Sequence, residues 1–100
     1  WYGRHLGLDV EEWGGVRFGE DEQRAGYTLW SPFAADTDYF GAGPQPYMIN
    51  FRVDDLDALL AQLRAAGVTV DERTDASELG RFGWIMDPEG TRIELWQPPT

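Results

Sequence analysis

The sequence predicts an α+β protein built from two strand-helix-strand-strand-strand (βαβββ) units in tandem, with the opening strand of the first unit absent from the chain. Three observations carry that expectation. One segment has a strong helical period, the segments around it alternate with period two, and a helix-end glycine recurs after 60 residues, at Gly7 and Gly67.

The helix is "DDLDALLAQLRAAG", residues 54–67. Leu56, Leu59, Leu60 and Leu63 fall on one face, Asp54 or Asp55 can accept the first free amides, and Gly67 suits a left-handed C-terminal cap. Its apolar face requires a sheet to lie on. The strand before it, "YMINFRV" (47–53), puts Ile49, Phe51 and Val53 on one side and Met48, Asn50 and Arg52 on the other. After it, "VTVDER" (68–73) and "GRFGWIM" (80–86) read as strands, and an Asp-Pro-Glu-Gly turn joins the second to "TRIELW". In that last strand Ile93 and Leu95 face the helix, while Arg92, Glu94 and Trp96 face away.

The first half repeats the order in weaker form. "HLGLDVEEW" (5–13) parallels "RAAGVTVDER" (64–73), and "VRFGE" and "GYTLWSPF" supply two more strands. The expected organisation is one domain: a first unit over about 1–35, a Gly- and Pro-bearing connector at 36–46 and a second unit at 47–98. Subtracting the repeat period puts the first unit's opening strand about 13 residues before Trp1, so a natural chain of roughly 115 or more residues is expected.

Composition narrows the partners. The chain has 18 acidic and 8 basic residues, a formal charge of -10 that repels phosphate backbones and anionic lipid. Neither nucleic acid nor a membrane is an expected partner; the charge serves solubility first, and as a field it favours neutral or cationic ligands. With no cysteine, thiolate nucleophiles, disulfides and cysteine-ligated zinc are excluded. No apolar run approaches the ~20 residues of a membrane span, and no signal peptide is visible, so a cytoplasmic location is expected.

Together, "WYGRHLGL", "FRVDDLDALLAQLRAAGV" and "GRFGWIMDPEGTRIELWQPP" resemble the glyoxalase, bleomycin-resistance and extradiol-dioxygenase superfamily, the vicinal-oxygen-chelate fold, over essentially all 100 residues. The resemblance implies a half-open barrel of mixed sheet whose cupped faces bind metal, substrate or drug, and it implies a homodimer. In metal-dependent members the first and last strands of each unit supply the ligands, and Glu94 matches one of those positions. Met48 stands where the second unit's opening strand usually has histidine, and Trp30 where the first unit's last strand has glutamate. A thioether is a poor ligand for hard ions, and one carboxylate holds a divalent ion weakly. No metal or other cofactor is therefore expected, with a divalent ion on Glu94 as the alternative. His5, at the end of the first helix, reads as a helix-terminus residue.

The cup-facing set is then Trp30, Met48, Asn50, Arg52, Phe82, Trp84, Arg92, Glu94 and Trp96, with the resemblance also implying that Trp84 pairs with Glu94. A carboxylate in such a wall must pair with Arg52 or Arg92, lie at a wet mouth, or hold a raised pKa. Two functions follow. One is a binding protein that stacks an aromatic or cationic metabolite or drug on the tryptophans, as metal-free drug-resistance relatives do. The other is a lyase- or isomerase-like enzyme on a small oxygenated metabolite, with Glu94 as catalytic acid or base or as a metal ligand. A third reading, aromatics that only close the core, needs no ligand.

Overall fold

A computed structural model describes residues 1–16 and 31–99. The chain divides into two units, Trp1–Pro32 and Phe33–Thr100.

In the first unit, helix α1 (Tyr2–Leu6) ends on Gly7, whose φ of 68° is left-handed. Arg4 and His5 lie in its last turn, and the His5 ring packs on Trp1 at 5.0 Å. Val10 then bridges Val16 across a short turn in which the Glu11 amide donates to the Gly15 carbonyl. The strands expected at "VRFGE" and "GYTLWSPF" lie for the most part outside the described residues, and Trp30 lies outside them altogether.

The second unit follows the expected order with one correction. It contains β1 (Ile49–Arg52), α2 (Leu56–Ala65), β2 (Asp75–Ser77), β3 (Gly80–Met86) and β4 (Arg92–Gln97). The strands form one open, mixed sheet in the order β1-β4-β3-β2, with β1 parallel to β4 and the other pairs antiparallel. Among the described residues no helix is long and apolar enough to cross a membrane.

Helix α2 forms where its leucines recur. The Asp55 carboxylate caps it, accepting from the Ala58 amide at 3.1 Å, and Gly67 (φ 83°) lets the Val68 amide return to the Leu63 carbonyl. The Gln97 side-chain oxygen accepts from the Leu56 amide, tying the helix start to the end of β4. Leu56, Leu60 and Leu63 are buried with Ile85, Ile93 and Leu95. Each such side chain contributes ~2 kcal/mol by leaving water. The close seat of α2 on β3 requires Gly83, where an added Cβ would stand 2.9 Å from a Leu60 methyl.

The correction concerns "VTVDER". Only Val70 bridges β3 there, opposite Ile85, and the next pairing is Asp75 with Phe82. Four residues of chain, 71–74, thus run opposite two of β3, Gly83 and Trp84, a bulge that interrupts the ladder. Its cause is local: the Asp71 carboxylate accepts from the Arg73 amide at 2.9 Å and bends the chain out of register. The helix-facing set also needs one change. Ile49 is 45% exposed, because among the described residues β1 ends the sheet and α2 covers the β3-β4 centre.

Candidate functional site

Side-chain alternation in β4 places Glu94 opposite the helix face, and pairing sets its neighbours. Asn50, Glu94 and Trp84 lie side by side across β1, β4 and β3; the next row is Arg52, Trp96, Phe82 and Asp75. The implied Trp84-Glu94 register is the one observed.

Glu94 is only 7% exposed, yet no cation neutralises it among the described residues. Instead Asn50 Nδ2 donates to Oε1 at 2.8 Å, and Trp84 Nε1 donates to Oε2 at 2.9 Å. The Tyr39 hydroxyl donates to the same Oε2. Three neutral donors thus replace water around the carboxylate, a fourth arrangement beyond the three the sequence reading allowed. Burial first, and then the Glu94 hydrogen bond and charge, push the Tyr39 phenol well above its usual range, so it keeps the proton it donates.

Of the alternatives open to Glu94, the pair with Arg92 does not form. Arg92 Nη1 meets Asp71 Oδ2 at 2.9 Å, and its guanidinium lies 5.2 Å from the Trp84 ring centre. Arg73 lies 5.6 Å from the same ring and pairs with Asp75. Trp84 therefore has its own cations and is 1% exposed, which leaves little of its face for a charged ligand. In the next row Phe82 and Trp96, both half-buried, stack at 6.3 Å with 17° between planes. Trp96 Nε1 donates to the Leu79 carbonyl at 2.7 Å, which holds its ring against the β2-β3 turn.

Of the expected set, Asn50, Trp84 and Glu94 are brought into direct contact, Phe82 and Trp96 into a second cluster, and Arg92 onto Trp84. Arg52 stands at the row end beside Trp96, and Met48 is half-buried just ahead of β1. Tyr39 falls outside the expected set, since it sits in an irregular connector 55 residues from Glu94. The only sequence signal available was the aromatic pair Tyr39-Phe40 in a Gly- and Pro-bearing segment. Gln45 was also missed. It accepts from the Arg92 amide at 2.7 Å and donates to the Arg92 carbonyl at 3.0 Å, pinning the connector along β4 as a strand partner would.

The surroundings of Glu94 do not fit a divalent ion. A metal needs several lone pairs converging on one point, whereas Glu94 is met by N–H and O–H donors. No group of three or more His, Cys, Asp or Glu could hold a metal ion among the described residues.

Asp71 offers a check on this electrostatic arrangement. The Arg73 amide, and then the Arg92 guanidinium, hold its carboxyl below the usual carboxylate range. A depressed folded-state pKa contributes stability that is present above the unfolded value and is lost as pH falls through the folded one. Asp71→Asn should therefore lower the urea midpoint at pH 7 by less than the equivalent of ~1 kcal/mol. The difference should vanish on acidification below the usual carboxylate range.

The open sheet, the helix on one face and the polar-aromatic other face define an α+β unit of the vicinal-oxygen-chelate type. The profile of the Glyoxalase/Bleomycin resistance protein/Dioxygenase superfamily matches residues 1–95, and the chain belongs to that superfamily. Among solved structures, a protein of unknown function from Agrobacterium tumefaciens str. C58 is 20% identical with a TM-score of 0.57, over 98% of this chain and 80% of that one. A protein from the mobile metagenome of V. Pseudocholerae is also 20% identical, with a TM-score of 0.55 over 99% and 81%. Both likenesses concern the fold. TnmS3, an antibiotic binding protein from Streptomyces sp. CB03234, is 39% identical over 51% of this chain, with a TM-score of 0.47; this chain spans 41% of its length. No curated protein matches the chain.

Proposed function

We propose that the chain is a small-molecule-binding protein that takes a flat aromatic ligand on the Phe82-Trp96 face, with the Glu94 row as its polar neighbour. The observation that carries this reading is the half-buried, parallel ring pair one row from a buried carboxylate. Aromatic surface beside a few placed polar groups is the usual make-up of a ligand site. The net charge of -10 favours a ligand that is neutral or cationic, and Asp75 stands opposite Phe82 in the same row. Arg73 and Arg92 over Trp84 argue for Trp96, rather than Trp84, as the surface on which a cationic ring stacks.

The enzymic reading, with Glu94 as acid or base, has less support. A carboxylate has about four lone-pair positions, and three neutral donors already use three of them. Such a group is better placed to orient a ligand than to move a proton.

Titrating tryptophan fluorescence with proflavine, a planar aromatic cation, and with 1-naphthalenesulfonate, a planar aromatic anion, tests the binding reading. Saturable quenching by proflavine is expected, weaker with the sulfonate, and about tenfold weaker in Trp96→Ala as one stacking partner is lost. The absence of a saturable response to either dye, or a response indifferent to Trp96→Ala, overturns the reading.

A further inference from the structure

We infer that Tyr39 occupies the Glu94 site as a built-in ligand, so that an external molecule reaching Glu94 must displace it and must resemble it: a neutral aromatic ring carrying a hydrogen-bond donor. The inference rests on the binding reading above and gives the Glu94 row its own occupant.

The geometry of Tyr39 is that of a bound molecule rather than of a strand residue. Its hydroxyl donates to Glu94 Oε2, and its ring meets Trp84 edge-on, at 6.0 Å and 87°. The segment that carries it has no helix or strand hydrogen bonding to hold it. Among the described residues its ties are local, the Thr37 amide on the Ala34 carbonyl, the Tyr39 amide on the Thr37 hydroxyl and the Gly41 amide on the Asp38 carbonyl, and beyond them Gln45 pins the end of the connector to Arg92. Behind the ring, Phe33 stacks on Tyr39 at 5.1 Å and is itself 46% exposed. The other two donors to Glu94, Asn50 and Trp84, stand on backbone held by strand pairing, so neither can withdraw from the site with its own segment. Tyr39 is thus the exchangeable one of the three. A buried carboxylate cannot lose a donor without a substitute, so what replaces Tyr39 must donate as well.

A resident side chain lowers apparent affinity in proportion to the fraction of time the site stands open. Weakening the resident should tighten the visitor. The probe is p-cresol, which is the tyrosine side chain alone, with toluene as its donor-free counterpart. Binding is read from the Trp84 indole N–H resonance in a titration of the 15N-labelled chain. Tyr39→Phe, which removes the hydroxyl without opening a cavity, should bind p-cresol roughly tenfold more tightly than the natural chain, with a smaller gain for toluene. Phe33→Ala, which removes the stacked ring and leaves Glu94 untouched, should shift p-cresol affinity in the same direction.

Unchanged p-cresol affinity in both variants, or an equal gain for toluene, overturns the inference. Proflavine binding through Trp96 is measured separately. If it persists while the Tyr39 variants do nothing, the stacking reading survives and the occupant reading falls.

Discussion

Glu94→Ala is expected to cost ~3 kcal/mol of folding stability, seen as a lower urea midpoint with an unchanged slope. The carboxylate accepts from Asn50, Trp84 and Tyr39 at once, and its removal leaves their donors facing an apolar gap. An unpaired buried donor costs ~1 to 3 kcal/mol. Trp84, at 1% exposure, cannot turn its indole N–H to water, whereas Asn50, on the edge strand, can. Glu94→Gln separates shape from chemistry. It keeps the volume but exchanges one acceptor oxygen for an NH2 group, which must face a donor, so an intermediate loss is expected. If Glu94→Ala proves as stable as the natural chain, the carboxylate is not the hub of a buried network.

Gly80→Ala should be at least as damaging, ~3 kcal/mol or more, through backbone rather than side-chain chemistry. Gly80 opens β3 with φ 115°, a conformation that side chains rarely adopt. A Cβ there would also stand 2.3 Å from the Gln97 carbonyl oxygen and 2.9 Å from Trp96 Nε1. The Gln97 contact is with backbone, so it cannot be relieved by a rotamer change. The β3 start must part from the β4 end, where Arg81 pairs with Gln97, and the Trp96 hydrogen bond to Leu79 is lost with it. Hydrogen exchange should report the opening first at the Arg81 and Gln97 end of the hairpin, and proflavine affinity should fall with it. Retention of both in Gly80→Ala would mean that the turn tolerates a side chain the geometry excludes.

The second unit was largely legible because its signals are local. Helix α2 follows from four leucines at helical spacing with Asp55 and Gly67 at its ends, and β3 forms over the predicted residues 80–86. The strand read at 68–73 did not form as such. Alternation in "VTVDER" describes a pleat, and it lasts as far as Asp71, whose amide donates to the Trp84 carbonyl while its carboxylate accepts from the Arg73 amide and turns the chain away. Short polar side chains that compete with the backbone are weak signals in a pattern of apolar and polar residues.

What the sequence by itself determined is the superfamily, the order of elements in the second unit and the side of β4 on which Glu94 lies, since period-two alternation cannot put it with Ile93 and Leu95. What only the tertiary structure decided is the company Glu94 keeps. Pairing by charge left Arg52 and Arg92 open, but the bulge carries Asp71 within 2.9 Å of the Arg92 guanidinium, and the connector brings Tyr39 to the carboxylate from 55 residues away. A buried carboxylate needs donors rather than a cation, and which donors arrive depends on how an irregular segment folds back over the sheet. No periodicity encodes that.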